Sequence, residues 1–392
     1  LAVTSAAVKK LLPGLPYMAY NRNNCAGLDS LDVALFTENT EVVSCDPYPT
    51  SAAAFGGMGR GIYHTGFSTK LLGDLSPKSI LAVTPQGFIY HGRRPEPADV
   101  REWASQAIKS GAVWFEWYTD GPANITMHDT FNEILSINKQ ISSMNRLILP
   151  ASTKTAIMYS DYDCWALADS TVHAPYSVYA LLGEHLKGWF KFVSPTALAK
   201  GYYKLSDFKV LYVPRMRYTD KATARKMVDF VTGGGILVVF DPDFIRWNID
   251  GTPCAERALF IRAELLPKTA PGTELVYGKE HLPVFRIKNL NLPENDNVHA
   301  YDFGELPSGT KVLAQYADGK PAIIECKVGK GRVIFSAVMP FGNSDVALNP
   351  KGWVGFCGLI ASEAAEEIGL PIWDFVLEAK PEYRLEVKHF GK

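Results

Sequence analysis

Residues 79–118 read SILAVTPQGFIYHGRRPEPADVREWASQAIKSGAVWFEWY, and the fold is decided there. Ser79–Thr84 is a short apolar run that leaves through Pro85-Gln86-Gly87, the pattern of a buried strand running into a loop. Pro97-Ala98-Asp99 then opens a helix. Val100, Trp103, Ala104, Ala107 and Ile108 recur at helical spacing, and Gly111 ends it. Ala112–Tyr118 is the next strand and closes on Thr119-Asp120-Gly121. Two strands separated by a helix-length crossover are parallel, so this is a βα unit.

Working outward, Leu15–Tyr20 and Glu41–Cys45 are earlier strands, the second ending in Asp46-Pro47-Tyr48-Pro49, and Phe131–Met144 is a later amphipathic helix. Residues 1–150 therefore read as one domain of parallel βα units. In a parallel α/β barrel the loops at the carboxyl ends of the strands build the active site. Those loops carry Asp46, Tyr48, Gln86, Glu116, Trp117, Asp120 and His128. Asp46 and Glu116 are the candidate catalytic carboxylates, able to serve as acid, base or hydroxyl acceptor. Trp117 offers a face for a sugar ring, Tyr48 and Gln86 offer donors for hydroxyls, and His128 completes the substrate-binding set. Each also has a plain structural reading: an ion pair for Glu116, a turn for Asp46, core packing for Trp117, backbone satisfaction for Tyr48 and Gln86, a loop anchor for His128. Strand alternation puts Phe115 and Trp117 on one face and Trp114, Glu116 and Tyr118 on the other. Glu116 and Trp117 cannot both enter a barrel from a regular strand.

Residues 151–370 read as a second α/β domain. Lys154–Tyr159, Phe208–Val213 and Ile236–Phe240 are strands, Asp220–Thr232 is an amphipathic helix, and Gly233-Gly234-Gly235 stops it. The glycines follow a helix and precede a strand, the reverse of a phosphate-binding loop. The alternation predicts a doubly wound, mostly parallel sheet. Residues 251–297 are a loose, Pro-rich excursion, Lys311–Tyr316 and Pro321–Lys327 form a hairpin, and 371–392 read as the start of a further β element.

With Lys+Arg at 40 and Asp+Glu at 41 over 392 residues, the net charge of −1 gives no drive toward nucleic acid or anionic membrane. The 47% hydrophobic and 21% charged composition is globular, and no apolar run approaches the ~20 residues of a membrane span. The six cysteines are scattered without a C-x-x-C pair, against a zinc site or a disulfide framework. No metal or cofactor is expected. Asn124-Ile125-Thr126 fits a glycosylation acceptor. The chain opens on Leu1, not Met, as a processed or partial chain would, and the opening residues carry no signal-peptide pattern. The compartment stays open.

Val42–Pro49, Glu96–Trp117 and the order of these elements resemble the sixth strand, seventh helix and eighth strand of the family 42 beta-galactosidases. In that family the eighth strand ends in an aromatic-polar-Trp triplet, matched by Phe115-Glu116-Trp117, and a His follows, matched by His128. Val210–Pro214, Gly233–Phe240 and Asp318–Ala322 resemble the same enzymes' amidotransferase-like trimerisation domain. The resemblance implies the C-terminal half of a (β/α)8 barrel followed by a flavodoxin-like domain, a carbohydrate partner, and a homo-oligomer, trimer favoured, or a second chain supplying the first barrel half. The family's acid/base carboxylate would lie before Leu1. Its nucleophilic Glu would end the strand that here ends Val83-Thr84-Pro85-Gln86. A retaining pair thus has neither family member in this chain. No Cys stands on a strand-to-helix elbow, which speaks against glutaminase activity. Two readings stay open: a glycoside-hydrolase relative acting on or binding a glycan, with a beta-galactoside the first candidate, and a non-catalytic assembly or glycan-binding descendant.

Overall fold

The computed structural model describes residues 2–21, 32–49, 61–90, 92–119, 127–144, 147, 149–167, 173–268, 274–283, 300–339, 351–364 and 372–379. Asp120 and the Asn124 acceptor lie outside the described residues, as do 284–297 of the excursion and 380–392 of the tail. The chain divides into two compact units, one of residues 1–29, 33–149 and 373–392, the other of 30–32 and 150–372.

In the first unit four parallel strands, β1 (Met18–Asn21), β2 (Val42–Cys45), β3 (Ile80–Val83) and β4 (Trp114–Phe115), lie side by side in chain order. The order never reverses, so every crossover winds the same way, as in the wall of a parallel barrel. β2 is buried along its whole length and β3 along all but Ile80, as expected of strands covered on both faces. The helix Pro97–Lys109 begins where read. Glu96 and Asp99 form a reciprocal capping box, Pro97 fills the first turn, and Gly111 turns away at φ +104°. Its inner face, Val100, Trp103, Ala104 and Ile108, packs with Ile134 and Ile137 of the helix His128–Ser142. The helix His64–Leu75, unforeseen in sequence, is buried at every residue except Gly73. The described tail carries no strand. Leu377 and Phe375 pack into the helical cluster, the Trp373 indole donates to the Lys109 carbonyl (2.7 Å), and the Leu377 amide donates to Ser105 Oγ (2.9 Å).

The second unit holds a nine-stranded mixed sheet. Its parallel half runs β6 (Lys191–Val193), β5 (Thr155–Met158), β7 (Val210–Val213), then Ile236–Val239 and Gly331–Ser336. The chain goes from β5 outward to β6 and returns to the other side of β5 for β7, so the sheet is wound both ways about β5. The expectation of a mostly parallel sheet holds for this half only. Pro321–Val328, Lys311–Tyr316, Glu274–Tyr277 and Glu280–Pro283 continue the sheet antiparallel, with short turns between Tyr277 and Glu280, Tyr316 and Pro321, and Val328 and Gly331. Part of the Pro-rich excursion thus adds two strands to the sheet. Between the sheet and its helices lies a core that includes Leu211, Leu237, Val239, Met227 and Phe335. Asp220 caps the helix Lys221–Thr232 by accepting from the Thr223 amide (2.9 Å).

The triple glycine does more than stop that helix. Gly234 adopts φ +115°, and a Cβ on Gly235 would lie 2.4 Å from the Phe230 ring.

Candidate functional site

Register fixes what the ends of β2, β3 and β4 present. Cys45, Val83 and Phe115 are level across the sheet. Phe115 packs on the helices, so this level faces outward. The next residues, Asp46, Thr84 and Glu116, therefore face the other way. The ladder continues beyond the strands: Thr84 N donates to Cys45 O (2.8 Å), Glu116 N to Val83 O (3.0 Å) and Tyr118 N to Pro85 O (3.2 Å). A further bridge pairs Gln86 with Tyr118. Tyr48, Gln86 and Tyr118, each three residues past the level set by Cys45, Val83 and Phe115, share the sheet face of Asp46, Thr84 and Glu116.

The aromatic side chains converge. Tyr48 lies edge-on to Phe88 at 5.2 Å between centroids, and Tyr90 and Tyr118 are each 5.8 Å from Tyr48. Phe88 contacts Tyr118 at 4.8 Å and Tyr90 at 5.3 Å. The result is a four-ring nest drawn from the ends of three strands. Phe88 is buried within it and Tyr118 is 50% exposed, so the nest has a floor and an open side.

The candidates read from sequence divide around this nest. Tyr48 is part of it. Asp46, two residues before, is buried, while Glu116, two residues before Tyr118, is exposed. Gln86 is fully buried and donates through Nε2 to the Phe88 carbonyl (2.9 Å), holding the loop that carries Phe88. Trp117 faces the helical layer, packs with that cluster, and donates through its indole to Asn138 Oδ1 (2.9 Å). His128 is exposed at the first turn of its helix. Thr84, at the level between Asp46 and Glu116, shares a hydrogen bond with Ser44 (3.3 Å). The nest is thus built of Tyr48 with Phe88, Tyr90 and Tyr118, three residues the sequence reading had not singled out as site residues. The signal was present in the common three-residue offset past each strand, together with the short Gln86–Tyr90 loop.

Chemically, the arrangement offers apolar ring faces beside carboxylates. Asp46 and Glu116 stand on strands two apart, about 10 Å at the backbone given ~4.8 Å per strand. The neighbouring Cys45 thiol is pushed up to about 12, chiefly by burial, and is not a nucleophile near neutral pH. Among the described residues no three His, Cys, Asp or Glu side chains gather as a metal site, and no helix is long and apolar enough to cross a membrane.

No protein-family profile matches the chain. A beta-galactosidase of Bacillus licheniformis is 21% identical over 264 residues, 59% of this chain and 38% of that one. The solved beta-galactosidase of Bacillus circulans sp. alkalophilus aligns with a TM-score of 0.66 and 20% identity, over 94% of this chain and 55% of that chain. A catalytic mutant of a family 42 beta-galactosidase from G. stearothermophilus aligns with a TM-score of 0.65 and 16% identity, over 88% and 54%. The chain therefore shares its fold with family 42 beta-galactosidases, as the resemblance implied. It spans about half the length of those structures and little more than a third of the curated relative.

Proposed function

We propose that this chain is a glycoside-hydrolase-related protein that binds a glycan at the carboxyl ends of β2, β3 and β4, with a beta-galactoside as the first ligand to test. The four-ring nest carries the reading. Apolar sugar faces pack on aromatic rings, and the carboxylates of Asp46 and Glu116 accept from ring hydroxyls. Relatives named as beta-galactosidases support the class of ligand. On the same reading the first unit is the C-terminal half of a (β/α)8 barrel and the second an amidotransferase-like domain. On that reading the end of β3, where the family carries its nucleophilic Glu, carries Thr84-Pro85-Gln86 and no carboxylate.

Titration with a galactose-terminated oligosaccharide tests it. Tyr118→Ala is expected to weaken binding about tenfold, since an aromatic contact worth ~1–1.5 kcal/mol corresponds to that factor. Tyr118 is half exposed, so the variant should fold. Absence of saturable binding by the unaltered chain would sink the reading. Hydrolysis of an aryl beta-galactoside should stay near background, because a retaining glycosidase works through a pair of carboxyl groups and the end of β3, the family's nucleophile position, offers Thr84 and Gln86 instead. Robust turnover abolished by Glu116→Gln would instead assign catalysis to Glu116.

The second reading, a non-catalytic assembly protein, is favoured by the packing of Trp117 against the helical layer, away from the nest, and the exposure of Glu116. Among the described residues the short parallel sheet ends on β1 and β4 with no further strand paired to either, and such edges favour association. An oligomer, with a trimer first, is the expected result of light scattering at micromolar concentration, and a stable monomer would remove that expectation. Oligomer formation without sugar binding would select this second reading.

A further inference from the structure

The carboxyl ends of the parallel strands in the second unit carry a dense set of charges. In doubly wound sheets this end, near the point where the winding reverses, is where ligands settle. Here the reversal lies between β5 and β7, and it is filled. Asp163, following β5, accepts the Arg217 amide with both carboxylate oxygens (3.0 and 2.8 Å). The Arg217 side chain, following β7, reaches Asp241 (3.7 Å) and Asp243 (3.4 Å) past the strand Ile236–Val239.

One step along, beyond that strand, lies a cavity of about 240 Å³ lined by Asp243, Arg246, Arg257, Tyr301 and an apolar wall that includes Ile261 and Leu265. Asp243 Oδ1 accepts from Tyr301 Oη (3.1 Å) and from Arg246 Nη1 (3.1 Å). Arg257 is held from behind, donating to the Phe244 carbonyl and through Nη2 to the Pro242 carbonyl (2.8 Å). The Arg246 guanidinium lies 5.5 Å from the Trp247 ring centroid, which braces a half-exposed side chain. The polar lining is therefore fixed in place before any ligand arrives.

Charge chooses the ligand. Among the described residues four guanidinium groups, Arg215, Arg217, Arg246 and Arg257, interact with three carboxylates, Asp163, Asp241 and Asp243. The two arginines that line the cavity, Arg246 and Arg257, outnumber its single carboxylate, Asp243. A guanidinium fork matches a carboxylate in shape. Asp243 and Tyr301 can take a hydroxyl, and the apolar wall takes carbon. The volume corresponds to about eight waters at ~30 Å³ each, below the ~300 Å³ of drug-sized sites.

We propose that this cavity binds a small hydroxylated organic carboxylate, its carboxylate on Arg246 and Arg257 and a hydroxyl on Asp243 and Tyr301. The site is independent of glycan binding in the first unit. Calorimetric titration of the full chain with lactate, with glucuronate and with glucose tests it. At least one acid should bind saturably and glucose should not. Binding of lactate and glucuronate alike identifies a small hydroxy acid as the source, and binding of glucuronate alone identifies a sugar acid. Arg246→Gln should weaken the acid at least tenfold, Arg246→Lys less, and Tyr301→Phe, which keeps the ring, several-fold. Failure of both acids to bind, equal binding by glucose, or an affinity unmoved by Arg246→Gln and Tyr301→Phe would overturn it.

Discussion

Gly331→Ala is expected to destabilise the second unit by about 4 kcal/mol, near the upper end of single-substitution effects. Gly331 opens the strand that joins the parallel and antiparallel halves of the sheet. A Cβ there would lie 2.2 Å from the Gly235 carbonyl oxygen and 2.2 Å from that of Val231. Both oxygens belong to backbone at the end of the helix Lys221–Thr232, so neither can swing aside as a side chain would. The Lys330 amide donates to Thr232 O (3.0 Å) and the Arg332 amide to Gly235 O (3.2 Å), pinning the crossing on both sides of Gly331. For a unit of this size the melting temperature should fall by roughly 10 °C, at ~2–4 °C per kcal/mol. Gly319→Ala is the control. Gly319 has φ +82° with nothing within 4 Å of the added Cβ, so that variant meets backbone strain alone, about 1–2 kcal/mol. If Gly331→Ala melts within about 2 °C of the unaltered chain, or no lower than Gly319→Ala, the close crossing is not as described.

The same glycines show where sequence reading reaches and where it stops. Gly233–Gly235 was legible as a helix stop because glycine ends helices by local geometry. The crossing at Gly331 depends on a segment about a hundred residues away, and no local pattern announces it. β2 and β3 were legible as apolar runs punctuated by Pro and Gly. β4 was over-read: of Ala112–Tyr118 only Trp114–Phe115 pairs as a strand, with a single bridge further on at Tyr118. The helix His64–Leu75 escaped notice because it is buried all round, so no polar face marks a 3.6-residue period. In the second unit the antiparallel half was read as one hairpin beside a loose excursion, since strand pairing in Glu274–Pro283 depends on a partner at Lys311–Tyr316.

At the candidate site, Asp46 and Tyr48 were legible as residues at a strand end. Alternation had already set Trp117 opposite Tyr118, and the structure follows it: Trp117 joins the helices and Tyr118 joins the nest. The short Gln86–Tyr90 loop marked where Phe88 and Tyr90 lie but not which way their rings turn. Their orientation depends on Gln86 folding back onto the Phe88 carbonyl, a tertiary detail of a loop. Gln86 was read both as a donor to a ligand and as a group that satisfies backbone, and in the structure its Nε2 donates to the Phe88 carbonyl.

His64 leads to the other large effect. It opens the buried helix, is itself fully buried, and among the described residues neither ring nitrogen has a hydrogen-bond partner. Burial lowers its pKa to about 3, against an ordinary value of 6.5. Between these limits the unfolded chain binds a proton that the folded unit does not, so stability falls as pH drops from 6.5 toward 3. At ~1.4 kcal/mol per pH unit the loss approaches about 5 kcal/mol. His64→Leu, similar in volume, removes both the titration and two unsatisfied buried nitrogens. The variant should therefore be more stable than the unaltered chain at pH 4 and no less stable at pH 7. Asp163 in the second unit runs the other way. Burial first, then Asp241, raises it to about 6, so its contribution is fully present below about pH 4 and is lost as pH rises through 6. The readout is amide hydrogen exchange, corrected for its intrinsic pH dependence, in the helix Pro97–Lys109. Protection there should fall steeply between pH 6.5 and 4 in the unaltered chain and much less in His64→Leu. Equal acid loss in both chains would show that His64 is not the group that titrates, and a variant less protected at pH 7 would show that its ring is partnered.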